Sequence, residues 1–151
     1  MDKGTYCLIF RNPACTVRVG ALGDIALDAG FHVYVGSALG GGGLKRLERH
    51  IALAHSHDRR PKWHVDYLLC DSRFAPVCAV YAVSPKHAEC GIAAALATGG
   101  VARFGSSDCG CRSHLFHRAG DPRGEVAGVF RRCGLAPVIK TIKRDATKEN
   151  V

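Results

Sequence analysis

The chain is short of acidic residues and has no long apolar run. Thirteen Asp and Glu face 21 Lys and Arg in 151 residues, a formal net charge of +8 with histidine neutral. On a small domain that imbalance argues for polyanionic partners, of which nucleic acid is the commonest. The competing reading is a basic face that serves only solubility. No stretch approaches the run of about 18 apolar residues that crossing a bilayer requires. The first ten residues, MDKGTYCLIF, carry charge early, and their apolar part is too short for a secretory signal core. These absences predict a cytoplasmic protein with no membrane partner. In that setting the eight cysteines are reduced thiols or metal ligands rather than a disulfide framework. No internal repeat is present. The glycine run at 40–43 does not end in Gly-Lys-Ser/Thr, which argues against a Walker-type nucleotide loop.

What is present reads as one ordinary domain over residues 1–139, followed by a polar tail at 140–151. GTYCLIF is a β-rich run that places Gly4, Tyr6, Leu8 and Phe10 on one face. CTVRVG alternates again after Asn12-Pro13, and HVYVG follows two turns at 20–23 and 28–30. Three strands with tight connections predict an antiparallel meander. The period then changes: Leu44, Leu47, Ile51 and Ala54 recur at helical spacing in GLKRLERHIALAH. KWHVDYLL predicts a short helix and FAPVCAVYAV a later strand. Ser84-Pro85 reads as an N-cap and first helical position for KHAECGIAAALA. PRGEVAGVFRRCG is open between strand and short helix.

Arg46 and His50 stand four apart on one side of the helix after the glycines, flanked by Lys45 and Arg49. A guanidinium fork on a rigid helix suits a phosphate, and a glycine loop lets a nucleic-acid backbone approach. A solvated basic face behind a permissive loop would look the same. Tyr6 and Tyr34 would emerge on one sheet face if their strands are neighbours, and a phenol beside a cation can orient a water or accept its proton. In WHVDY, Asp66 could orient His64 across a turn, or the pair could simply cap a short helix.

Several motifs in order then carry a resemblance. GTY at 4–6, YVG at 34–36, LKRLxxH at 44–50, WHVDYLL, the Glu89-Cys90 pair and FGSSDCxCxxHLF are similar to a GIY-YIG nuclease domain. They most resemble a family of prokaryotic proteins within that superfamily, found alone or fused to endonuclease III-like enzymes. The resemblance spans residues 4–117. It implies an α/β (α+β) fold, with a small, mainly antiparallel three-stranded sheet flanked by helices. CTVRVG would be an extra strand or hairpin insertion. It further implies a metal-dependent endonuclease that hydrolyses DNA, at branched or damaged structures, with Mg²⁺ or Mn²⁺. Tyr6 and Tyr34 would be the motif tyrosines, Arg46 and His50 the helix pair, and Glu89 the metal-binding carboxylate. Gly36, Ser37, Gly41, Lys45, Arg49, His64, Ser107 and His114 are the candidate nucleic-acid contacts, with Asp108 beside them. DNA is favoured over RNA. The alternative is a non-catalytic nucleic-acid-binding module that recruits a DNA-repair partner.

The cluster SSDCGCRSHLFH admits a third reading, a small zinc protein. Cys109, Cys111, His114 and His117 are potential zinc ligands, with Cys90 or His64 available to complete a set. Cys-x-Cys is tighter than usual zinc spacing, so reduced thiols packing a glycine-rich loop are favoured. Cys7, Cys15, Cys70, Cys78 and Cys133 read as small core residues.

Overall fold

The computed structural model describes residues 2–56, 61, 63–106 and 109–142. Ser107, Asp108 and most of the expected tail therefore lie outside the described residues. Among those described, five strands form one antiparallel sheet: β1 (Gly4–Asn12), β4 (Gly30–Ala38), β5 (Ala75–Val83), β6 (Leu115–Arg118) and β7 (Val138–Thr141), in the order β6-β4-β1-β5-β7. Its centre is β4, β1 and β5, so FAPVCAVYAV and not CTVRVG is the third central strand, and one short strand adds to each edge. At the C-terminal edge β7 pairs Lys140 with Ala79, and Ile142 is buried.

β1 is nearly all buried because it is the central strand of a sheet covered on both faces. Its even positions, Tyr6, Leu8 and Phe10, join one core and its odd positions, Cys7 and Ile9, another. α1 (Lys45–Ser56) and α2 (His64–Leu69) close the first with Leu47, Leu53, Val65, Leu68 and Leu69. α3 (Glu89–Leu96) and α4 (Arg123–Arg132) close the second with Ile92, Leu96, Val126, Val129 and Phe130. The protein is a three-layer mixed α/β domain. None of these helices is long and apolar enough to cross a membrane.

Two expectations are corrected. The meander is replaced by the hairpin insertion that was also expected: β2 (Cys15–Arg18) pairs with β3 (Asp24–Leu27) as a separate hairpin, and β1 pairs directly with β4. Val17, Val19 and Leu27 fold that hairpin onto the first core. Ser84 does not cap α3. Its amide donates to the Lys3 carbonyl at 2.9 Å, keeping it in the sheet, while its Oγ accepts from the Lys86 amide at 3.1 Å. That hydroxyl-closed turn uses residues 84–86, so the helix waits until Glu89. PRGEVAGVFRRCG resolves as the helix α4. Cys7 and Cys78 are fully buried, as expected of core cysteines, while Cys15, Cys70 and Cys133 are half-buried against the two cores.

Where β1 ends and β4 begins, Asn12 Nδ2 donates to the carbonyls of Pro13 and Asp28 at 2.8 and 3.1 Å. Its oxygen must then accept, so the buried His32 holds its hydrogen on Nδ1, 2.7 Å away. Burial first, then neighbouring His117, lowers the His32 pKa to about 4, with Asp28 opposing. The unfolded chain therefore binds a proton that the folded chain refuses between pH 6.5 and 4. Stability present above pH 6.5 falls as pH drops through that window, by roughly 3 kcal/mol. Urea midpoints from pH 7 to 4.5 should show the decline, and His32→Gln should flatten it.

Candidate functional site

The β1–β4 register sets Tyr6 opposite Gly36 and Leu8 opposite Tyr34, so both phenols stand on the α1 side of the sheet. Their ring centroids are 6.5 Å apart. Tyr6 is buried and Tyr34 only partly so. The Tyr6 ring lies over the backbone of Gly36, where an added Cβ would come within 2.6 Å of its Cε2. At the strand's start, a Cβ on Gly4 would collide with the Ala82 carbonyl. The glycines of both motifs are thus demanded by close packing.

α1 brings its residues to the same place. His50 is buried on the core side of the helix, with Nε2 2.9 Å from Tyr6 Oη. Its Nδ1 lies 3.9 Å from Oδ1 of the fully buried Asp66. Asp66 Oδ2 accepts from the Trp63 amide at 3.0 Å, which fixes the carboxylate at the start of α2. Of the two readings left open, Asp66 takes the capping one for α2, and it faces His50 and not His64 because α2 turns residues 64 and 66 apart. With Nδ1–H toward Asp66, His50 Nε2 accepts from the Tyr6 hydroxyl. Burial first, then Tyr34, Glu89 and Asp66, raises the Tyr6 pKa well above the usual phenol value, and nearby Arg46 opposes this without reversing it. Tyr6 stays protonated.

Arg46, one turn before His50, donates from Nη1 to the Ser37 carbonyl at 2.9 Å. Its guanidinium carbon is 5.0 Å from the Trp63 ring centroid, a cation–π contact. The sequence reading missed this use of Trp63; a Trp three residues before a candidate acid was the available signal. Lys45 and Arg49 are exposed on α1, and Gly41 is exposed with nothing within 4 Å of an added Cβ. Glu89 opens α3. Its electrostatic effect on Tyr6 and its Oε2, 3.8 Å from His114 Nδ1, put it between the tyrosines and a second cluster. Tyr6, Tyr34, Arg46, His50 and Glu89 are brought together from β1, β4, α1 and α3.

Other candidates lie differently. His64 Nδ1 accepts from the Gly105 amide at 2.8 Å, and its ring meets Phe104, so it holds the loop before residue 106. Burial lowers its pKa. His114, expected as a nucleic-acid contact, is buried: its neighbours are Glu89 and Cys109, the latter's Sγ 3.5 Å from Nε2. His117 drops out of the expected zinc set. Its Nε2 is 2.9 Å from the Ala29 carbonyl and its ring packs against His32, since the strand β6 carries it away from the thiols. Cys90 takes its place. One donor atom each from Cys90, Cys109, Cys111 and His114 lie within 4.8 Å of one another. This set could bind a metal, and its thiolate and imidazole donors favour zinc over magnesium. Burial first, then hydrogen bonding and charge from Cys90 and Cys109, pushes the Cys111 thiol up to about 12.

The class defined by this fold and site is a three-layer α/β domain with a Tyr/Arg/His/Glu constellation at one sheet face and an adjoining thiol–imidazole cluster. The family model described as a domain of unknown function, DUF123, matches residues 5–135, and the chain belongs to that family. No curated protein and no solved structure matches it.

Proposed function

We propose that the protein is a GIY-YIG-type, metal-dependent endonuclease that hydrolyses DNA phosphodiesters. The observation supporting this reading is the meeting of Tyr6, Tyr34, Arg46, His50 and Glu89, drawn from four elements, beside exposed Lys45 and Arg49. A packing role alone would not need an arginine, a glutamate and two phenols at one point.

The donor set there fits a hard divalent cation. Glu89 is a carboxylate with its side chain 27% exposed, and the soft thiols belong to the neighbouring cluster. Glu89 would hold Mg²⁺ or Mn²⁺, which supplies Lewis-acid polarisation of the phosphate and a more acidic bound water. The chain's own residues do the rest. Asp66, its Oδ1 3.9 Å from His50 Nδ1, orients the imidazole electrostatically, and His50 holds the Tyr6 hydroxyl in place as a fixed donor. Tyr34, the more exposed phenol, orients the attacking water; deprotonated beside the bound cation and Arg46, its phenolate oxygen takes the water's proton and returns to the phenol. Arg46, held by Ser37 and Trp63, neutralises charge building on the phosphoryl oxygens. Gly41, Lys45 and Arg49 receive the DNA backbone. A cytoplasmic setting, which keeps thiols reduced, suits the eight cysteines.

The test is cleavage of labelled single-stranded, duplex, flap and four-way DNAs with Mg²⁺ or Mn²⁺, comparing wild type with Glu89→Gln. Metal-dependent cutting lost in the variant supports the reading. Tight binding without cutting on every substrate replaces it with the module that recruits a DNA-repair partner. Binding itself should be salt-sensitive: if Lys45 and Arg49 each neutralise one phosphate, replacing both with Ala lowers the slope of log K against log salt by about 1.8 on duplex DNA. Fluorescence anisotropy across a salt series measures this.

A further inference from the structure

We propose that Cys90, Cys109, Cys111 and His114 form a structural Cys3His zinc site that fixes the position of Glu89. The zinc site stands on its own; its consequence for Glu89 rests on the endonuclease reading. The ligands come from two separate segments, the first turn of α3 and the loop leading into β6. This overturns the tight Cys-x-Cys spacing as an objection, since the third thiol arrives from residue 90. A tetrahedral centre with Zn–S near 2.3 Å and Zn–N near 2.0–2.1 Å has donor–donor edges of about 3.5–3.8 Å. The Cys109 Sγ to His114 Nε2 separation is already 3.5 Å, and all four donors lie within 4.8 Å, so small side-chain rotations close the site.

The surroundings are those of a built site. His114 is held at both main-chain ends, its amide donating to the Phe104 carbonyl and its carbonyl accepting from the Val35 amide, each at 2.8 Å. Its Nε2 faces the thiols while its Nδ1 faces Glu89 at 3.8 Å. A metal-bound imidazole whose second nitrogen is turned to a carboxylate is the common outer support of zinc histidines. A half-open cleft of about 720 Å³, lined by Cys90, Cys111, Arg103 and Arg112 among others, gives the metal an access path. Three thiolates with one Zn²⁺ leave a net −1, which the two arginines on that cleft offset. Four protein ligands leave no open position, so the ion staples rather than reacts. What it staples is the first turn of α3, whose first residue is Glu89.

The experiment uses the full chain purified under reducing conditions. Elemental analysis should find about one zinc per chain. Chelator-stripped protein titrated with Co²⁺ should develop the charge-transfer and ligand-field bands of a tetrahedral thiolate site. Cys90→Ser and Cys111→Ser should each lose at least tenfold in zinc retention against a competing chelator, whereas His117→Ala should keep the wild-type value. Glu89→Gln should still bind one equivalent, with affinity lowered about 10–100-fold. Wild-type protein that holds no zinc and gives no thiolate band with Co²⁺ overturns the site. That result needs no variant to fold. Loss of zinc in His117→Ala but not Cys90→Ser overturns the ligand assignment, and unchanged affinity in Glu89→Gln overturns the link to Glu89. All of these readouts are taken without DNA, so they succeed or fail independently of the nuclease.

Discussion

Arg46→Ala should lower the rate of DNA cleavage by about 10²–10³-fold, equivalent to about 2.7–4 kcal/mol of barrier. The size follows from where the guanidinium sits. It is not loose in solvent, and no ion pair holds it among the described residues: Nη1 is tied to the Ser37 carbonyl and its central carbon stands over the Trp63 ring. A donor held in that way needs no reorganisation when charge develops on phosphorus, which is the condition under which electrostatic stabilisation is largest. Arg46→Lys should recover little. An ammonium keeps the charge but loses both the planar fork and the stacking on Trp63. Trp63→Ala should give a smaller loss, through looser placement of the same group. Single-turnover cleavage at saturating enzyme separates these rate effects from binding, and a rate unchanged in Arg46→Ala would remove Arg46 from the site.

Gly36→Ala should destabilise the fold by about 3 kcal/mol, the upper part of the range for overpacking a core. The new Cβ would stand 2.6 Å from Tyr6 Cε2, and neither partner has room to give. Gly36 is fixed by the β1–β4 ladder, while Tyr6 is buried and tied through its hydroxyl to His50. Relief requires moving the ring and breaking that hydrogen bond, so activity should fall together with stability. Combining Gly36→Ala with Tyr6→Leu tests the cause. The double variant should be more stable than the two single losses added together, because one substitution removes the ring that the other strikes. Urea denaturation of all four proteins gives the coupling, and strict additivity would mean the two residues do not collide.

Much of this was legible in the chain. The alternation of GTYCLIF and the 3.6-residue spacing of Leu44, Leu47, Ile51 and Ala54 identify elements whose apolar faces are long enough to dominate any local competitor. The strand and helix carrying Tyr6, Arg46 and His50 follow from that. Short elements were not legible in the same way. DIAL became a strand only by pairing with CTVR, and LFHR only by pairing with β4. Four residues carry too little periodicity to declare themselves. Ser84-Pro85 misled for a related reason: the local capping signal was sound, yet a ladder bond to Lys3 held the serine in the sheet.

The sequence by itself determined the strand character of β1, the amphipathic α1 and the set of residue types available for chemistry, because each is a property of neighbours along the chain. Which side chains face one another was decided only by the tertiary structure. Asp66 meets His50 rather than His64, and Cys90 meets Cys109 and Cys111 in place of His117. These pairs are separated by 16 to 21 positions in sequence, for 66 − 50 = 16 and 111 − 90 = 21. Spacing rules end at the length of one helix or hairpin. Beyond it, partners are chosen by how the layers stack, and here α2 stacks beside α1 while α3 turns its first residues toward the loop that enters β6.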